Sequence, residues 1–287
     1  MSHPFSRIAV LAHPQVADGP AKAQQVAHFL AQQGCEVQVG LLNNPEMRRQ
    51  VQEGKVDLCV ALGGDGTMLR AGHLCGPAGV PILGINLGRF GFLIEVAWDQ
   101  WQASLEQLLA GEYWEEQRMM LTTTLKRQGE PLLKWQVVNE VVVSRGRVVR
   151  PLRLAAYVDD TLLAHYAVDG LIAATPTGST AYALAAGGPI LPPTLRNILL
   201  VPVAPHLSVD RAVVLAEGST VTIVPVVEHQ AVLSVDGQTP VDLEEGDEVV
   251  VRCSDHSLVF IRLQGRGYFY RNITSYMNWN PTLGERP

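Results

Sequence analysis

Gly63-Gly64-Asp65-Gly66-Thr67 sets one carboxylate among three glycines, directly after the apolar run Val56-Asp57-Leu58-Cys59-Val60-Ala61-Leu62 and before Met68-Leu69-Arg70-Ala71. The run reads as a strand buried on both faces, and the residues after the loop as the start of a helix. Glycines at such a junction let backbone N–H groups approach a ligand, and the helix N-terminus adds partial positive charge, so the place suits phosphate. A carboxylate there repels phosphate unless it holds a metal or takes a proton from a hydroxyl that attacks phosphorus. Phosphoryl transfer is the chemistry this pattern points to. A plain strand-to-helix turn with Asp65 as its N-cap would use the same residues.

A second segment runs Asp169-Gly170-Leu171-Ile172-Ala173-Ala174-Thr175-Pro176-Thr177-Gly178-Ser179-Thr180-Ala181-Tyr182. It reads as a short strand leading through a hydroxyl-rich turn into an alanine-rich helix, expected over 180–186 and stopped by Gly187-Gly188-Pro189. Thr177, Ser179 and Thr180 offer donors at the helix start, with Tyr182 one turn inside; an ordinary capped helix with Tyr182 in the core is the alternative. A third pair, Asn139-Glu140, lies between Val137-Val138 and Val141-Val142-Val143. In one continuous strand neighbouring side chains face opposite ways, so one of the pair must line a pocket or find a partner, unless the strand is an edge with a solvated face. Asn offers donor and acceptor to an adenine edge or a ribose hydroxyl, and Glu accepts from hydroxyls or supports a metal.

The elements that must position these groups fall into two textures. Up to about Gly111, apolar strands (8–12, 37–42, 56–62, 81–86) alternate with helical patterns (21–33, and Trp98, Trp101, Leu105 and Leu108 at helical spacing), which predicts parallel strands with crossover helices. The aromatic stripe reads as core packing. From about Arg118, short β-branched runs meet turn chemistry at Gln128-Gly129-Glu130-Pro131, Asp159-Asp160 and Asp236-Gly237, which predicts an all-β second domain. The expected boundaries are 1–117, 118–266 and a final segment 267–287, in which aromatic Tyr268 to Trp279 packs back on a domain.

At 287 residues with 47% hydrophobic composition the chain is long enough for two cores. No apolar run reaches the roughly 18 to 20 residues of a membrane helix, and the first residues lack the charged-then-apolar plan of a signal peptide. Cys35, Cys59, Cys75 and Cys253 lack metal-ligand spacing. A cytoplasmic protein with no membrane partner is expected. A net charge of −6 without a basic block argues against nucleic acid. His13, His73 and His206 read as core or surface residues.

In this order, and together with Gly84-Ile85-Asn86-Leu87-Gly88-Arg89-Phe90-Gly91-Phe92 and Ser234-Val235-Asp236-Gly237-Gln238, the three segments resemble the NAD kinase family. That resemblance implies an α/β N-terminal domain with a mostly parallel sheet plus an all-β C-terminal domain. The implied activity is phosphorylation of the adenosine-ribose 2′-hydroxyl of NAD, with ATP or polyphosphate as donor, Mg²⁺ or another divalent metal, and a homo-oligomer, dimer or tetramer. By position, Asp65 would be the general base, and Gly63, Gly64, Gly66 and Thr67 the loop around it. Phe92 would wall the adenine, and Asn139 and Glu140 would bind dinucleotide. Asp169, Thr177, Thr180, Ala181, Tyr182 and Ala185 would surround its two halves, with Arg70, Arg150 and Gln238 adding contacts. One departure stands out: Ala167 replaces an Arg that many bacterial relatives carry two residues before the aspartate, which bears on the choice between oxidised and reduced dinucleotide. Two rivals are a lipid or sphingoid kinase, which would need an acyl-chain channel, and an NAD(P) sensor without turnover, which would have no use for Asp65.

Overall fold

The computed structural model describes residues 3–16, 18–88, 91–148, 150–206, 209–226 and 230–277, with side chains as far as 273. Arg89 and Phe90 of the 84–92 motif, Val227, and the end of the aromatic tail including Trp279 lie outside the described residues. The chain divides into two compact units, Met1–Gln117 with Leu258–Pro287, and Arg118–Ser257.

The first unit alternates as its periodicity predicts: β1 (Arg7–Ala12), α1 (Gly19–Gln32), β2 (Glu36–Leu41), α2 (Pro45–Gln52), β3 (Leu58–Gly63), α3 (Asp65–Cys75) and β4 (Ile82–Asn86). These strands are parallel in the order β4-β3-β1-β2, with Val10 opposite both Val39 and Val60. The order reverses between β1 and β3. In an open parallel sheet that switch point opens a crevice beyond the strands' carboxyl ends, which is where the Gly63–Thr67 loop emerges. Every residue of β3 is buried, as expected for a central parallel strand.

β3 starts two residues later than its apolar run. Asp57 is taken up elsewhere: its carboxylate accepts from the Ser6 and Arg7 N–H groups and from the Arg7 guanidinium, which draws its pKa down to about 2. Sequence reading missed α2, whose first turn is capped by the Asn44 side chain accepting from the Glu46 and Met47 N–H groups at 2.9 and 3.2 Å. Its buried side consists of only Met47 and Val51, too little for a visible period. Further on, α4 (Trp101–Leu109) follows a 3₁₀ turn at Trp98–Gln100. Leu105 and Leu108 are buried and the two tryptophans pack against the same core as α1 and β1, so the aromatic stripe is packing. The last helix, Tyr268–Met277, buries Tyr268 and Phe269 in this unit.

Among its described residues, the second unit pairs its strands antiparallel and holds two short helical pieces, Gly178–Thr180 and Tyr182–Ala185. One sheet runs Val213–Ala216, Asn197–Val203, Gly170–Ala174, Glu140–Arg145, Ala231–Val235, Val241–Leu243. Strands Thr161–Val168, Leu152–Val158 and Val221–Val226 pair separately in that order. Inward residues of both sets, among them Val141, Leu154, Tyr166, Leu171, Ile223 and Leu233, share one core. Two hairpins turn on Gln128-Gly129 and Asp159-Asp160, all four residues at positive φ, the geometry that matches strand twist. Among the described residues, no helix is long and apolar enough to cross a membrane.

Candidate active site

The functional candidates form two clusters, one in each unit. In the first, Gly64 holds the N-cap position in extended conformation and Asp65 is the first helical residue of α3, so Asp65 is not the cap. The Gly64 N–H donates to the Thr67 hydroxyl at 3.3 Å, and the Thr67 N–H donates back to the Gly64 carbonyl at 2.8 Å. A side chain on Gly63 would run into Thr67, 2.7 Å from its Cβ, which is why strand and helix meet through glycine here. Gly66 and Arg70 are exposed.

The Asp65 carboxylate turns toward the segment 91–93. Phe92 N–H donates to Oδ2 at 2.8 Å and Leu93 N–H to Oδ1 at 3.1 Å. A Cβ on Gly91 would collide with the carboxylate, 2.5 Å from Oδ2, so the backbone comes this close because residue 91 is glycine. Two N–H donors and a helix N-terminus thus hold the carboxylate at the start of α3. Phe92 itself is buried. His13, at the end of β1, is held below the ordinary histidine pKa by burial and then by the Arg70 charge, so it is neutral near pH 7 and its Nδ1 accepts from the Gln15 N–H.

In the second cluster the expected continuous strand through Asn139-Glu140 does not form. The chain bends at 138–139 and a new strand starts at Glu140. Asp236 causes the bend: its carboxylate accepts from three consecutive N–H groups, Val138 at 2.7 Å, Asn139 at 2.8 Å and Glu140 at 2.9 Å. Thr175 closes the other side, its hydroxyl donating to the Val138 carbonyl at 2.6 Å and its N–H to the Asn139 carbonyl at 2.8 Å. The expected helix over 180–186 is instead a 3₁₀ turn, Gly178–Thr180, and a single α-turn, Tyr182–Ala185, because Ala181 sits at φ −100°, ψ −127° and breaks the run. The Ser179 hydroxyl is wholly buried, donating to Pro176 O and accepting from Leu191 N–H, and Thr180 Oγ1 donates to Thr177 O, so both hydroxyls also brace the turn.

Glu140 is the electrostatic outlier. It is 8% exposed and Oε2 has no hydrogen-bond partner among the described residues. Burial first, then the Asp236 charge, push its carboxyl up to about 8 against a weaker downward pull from the Tyr182 N–H. An unpartnered buried oxygen beside exposed Tyr182 and Ala185 is a place for a ligand donor.

The structure brings Asn139, Glu140, Thr177, Thr180, Ala181 and Tyr182 to one end of the strand Gly170–Ala174, with Gln238 in the turn that carries Asp236. Asp169 lies at the strand's other end, roughly 20 Å from Thr175 at the usual strand rise, and pairs with Arg145 at 3.0 Å. Arg150 is exposed just before Leu152–Val158. Ala167 stands opposite Arg153 in antiparallel register, so these two side chains share a face. Sequence reasoning missed Asp236, Thr175, Gly178 and Gly91 as site residues. Asp236-Gly237 signalled only its own turn, and nothing local shows what the carboxylate holds.

Gly178 gives a direct test of this architecture. A Cβ there would lie 2.5 Å from the Asn139 carbonyl carbon, backbone against backbone. Gly178→Ala is expected to destabilise by about 1–3 kcal/mol, lowering the melting temperature by roughly 2–4 °C per kcal/mol, whereas Gly66→Ala, with nothing within 4 Å, should melt with the parent.

Comparison with known proteins bears on both units. The family models described as ATP-NAD kinase N-terminal domain and ATP-NAD kinase C-terminal domain match residues 43–113 and 138–263. The chain is 37% identical over 288 residues to the NAD kinase of Polaromonas naphthalenivorans, covering 98% of this chain and 99% of that protein. It is 40% identical over 273 residues to that of Chloroflexus aurantiacus, covering 94% and 98%. Yeast NADH kinase, solved with NADH, superposes with a TM-score of 0.83 at 24% identity over 96% of this chain and 89% of that one, which is a likeness of fold.

Proposed function

Because this chain belongs to the NAD kinase family, and so phosphorylates NAD to NADP, we propose that Asp65 is the general base of the transfer. The observation that carries this is the Asp65 carboxylate itself, fixed by two peptide N–H groups on the exposed, glycine-lined start of a helix. A sugar hydroxyl is a poor nucleophile near neutral pH. As the bond from O2′ to the γ-phosphorus of ATP forms and that from the phosphorus to the departing ADP oxygen breaks, the hydroxyl proton passes to Asp65. The Gly63–Thr67 backbone and Arg70 face the donor phosphates.

Asn139 and Glu140 bind the dinucleotide, Glu140 Oε2 accepting from a hydroxyl or amine of the ligand in place of the partner it lacks. Phe92, Thr177, Thr180, Ala181, Tyr182, Ala185 and Gln238 supply the surrounding contacts. Asp169 and Arg150, placed apart from them, contact the ligand in an assembled homo-oligomer.

A divalent ion fits this donor set. Among the described residues no group of three or more His, Cys, Asp or Glu side chains is placed to hold a metal ion. Mg²⁺ needs no such cage, since it is commonly held by substrate phosphates, and the ATP phosphates facing the Gly63–Thr67 loop would carry it, with Asp65 kept for the proton. When bound, the ion neutralises charge on the transferring phosphoryl group. The enzyme works in the cytoplasm.

Purified protein with NAD, ATP and Mg²⁺ is expected to form NADP, to stop when the ion is chelated, and to leave 2′-deoxyadenosine NAD unphosphorylated. Turnover undiminished by chelation would remove the metal, and phosphorylation of the deoxy analogue would remove the 2′-hydroxyl as acceptor. Running polyphosphate beside ATP identifies the donor, and NAD beside NADH measures what Ala167 does to selectivity.

A further inference from the structure

We propose that Arg262 is a positioning residue for phosphoryl transfer: through the Leu93 carbonyl it fixes the two peptide N–H groups that hold the Asp65 carboxylate. This rests on Asp65 as the base. The segment 91–95 that grips Asp65 has no strand or helix of its own, so no backbone ladder sets its position. Its N–H groups face Asp65, and its Leu93 carbonyl accepts from Arg262 Nη1 at 3.1 Å. The Leu93 carbonyl and the Leu93 N–H hang on the same Cα, so holding the carbonyl restricts rotation about the two backbone bonds that aim this N–H, and the planar peptide before it, at Asp65.

Arg262 is itself held from every direction. It is 2% exposed, its Nε donates to Glu116 Oε2 at 2.9 Å, and its guanidinium lies between the rings of Phe260 and Tyr268, 4.8 and 4.7 Å from their centroids. The Tyr268 hydroxyl lies 2.8 Å from both Glu116 oxygens and fixes that carboxylate in turn. Glu95 anchors the far end of the segment, accepting from the Leu263 and Gln264 N–H groups, with its Oε2 3.6 Å from Arg262 Nη1. The path from Glu116 through Arg262 and the Leu93 peptide to Asp65 is thus continuous within one unit.

Stability alone does not explain this cluster, because a buried ion pair commonly contributes no more than apolar residues of the same volume would. A planar fork that reaches a carboxylate on one edge and a backbone carbonyl on another does something a packed leucine cannot.

The test is Arg262→Lys in the full chain, which keeps the charge and loses the fork. Turnover should fall about tenfold with KM for NAD within about twofold, and amide exchange at Phe92 and Leu93 should quicken. Unchanged turnover in folded Arg262→Lys, or a loss seen equally in NAD affinity, overturns the proposal. Should that variant not fold, Glu116→Gln, which removes the charge anchoring the guanidinium at constant shape, must show the same split between turnover and KM; parental kinetics there overturn it equally. Introducing Arg262→Lys into Asp65→Asn should add no further loss, since both act through one group. If Asp65→Asn alone turns over normally, the base assignment has failed. If Asp65→Asn is crippled while Arg262→Lys is not, only the positioning role has.

Discussion

Asp65→Asn is expected to turn over at least about a hundredfold more slowly than the parent, while NAD affinity measured by calorimetry stays within a few-fold. The substitution keeps the shape and removes the proton acceptor. It also changes how the loop is held. The carboxylate accepts from both Phe92 and Leu93 N–H groups, whereas an amide presents one oxygen to one of them and its own NH₂ donor to the other. A local loss of order 1 kcal/mol in stability should accompany the kinetic effect. Because the candidate dinucleotide cluster around Asn139 and Glu140 is built from other residues in the other unit, binding and turnover should separate. Equal kinetics for mutant and parent would take Asp65 out of the mechanism.

Glu140→Gln should reshape the dependence of stability on pH. The carboxyl titrates near 4.5 in the unfolded chain and near 8 in the fold. Its raised value means that folding takes up a proton. The contribution of Glu140 to stability is therefore fully present below about pH 4.5 and is lost as pH rises toward 8. Between pH 5 and pH 9 the loss is of order 4 kcal/mol. Gln is neutral throughout, so the variant should gain on the parent by about that amount across the interval, read as the difference between their urea unfolding free energies at the two pH values. It should also bind NAD more weakly, because an amide presents an NH₂ donor where one carboxyl oxygen accepted from the ligand. Parallel pH curves for the two proteins would show that Glu140 is ionised in the fold at ordinary cost. A carboxyl buried at such a cost and lacking a partner for one oxygen is the kind of group that clusters at ligand sites.

What was legible in the sequence was what neighbours in the chain decide. The buried run through Leu62, the glycine-flanked Asp65, the turns at Gln128-Gly129 and Asp159-Asp160, and the helical stripe from Trp98 to Leu108 all follow from local spacing, although Glu130 and Pro131, read with the first turn, already pair in the next strand. The bend at Asn139 did not follow, since the run 137–143 is β-branched on both sides and its interruption comes from Asp236, far along the chain. The broken helix at Ala181 was hidden for the same reason. Its residues favour helix, and the hydrogen bonds that override the preference run from Thr175 to Val138 and from Leu191 to Ser179. Arg262 reads in isolation as one more charge at the end of a strand. Only its burial beside Glu116 and Leu93 gives it a task.

The discontinuity of the first unit has a consequence for how the protein is made. Phe260, the partner of Ile82 at the edge of the parallel sheet, and Arg262, the counter-charge to Glu116, leave the ribosome only after the entire β unit has been synthesised. Until then the nascent chain carries an uncovered sheet edge and acidic side chains without their cation, a condition that invites chaperone binding. The β unit, continuous from Arg118 to Ser257, can close first. A transcript cut short before the codon for Leu258 would therefore leave a folded β half attached to an α/β half that cannot finish.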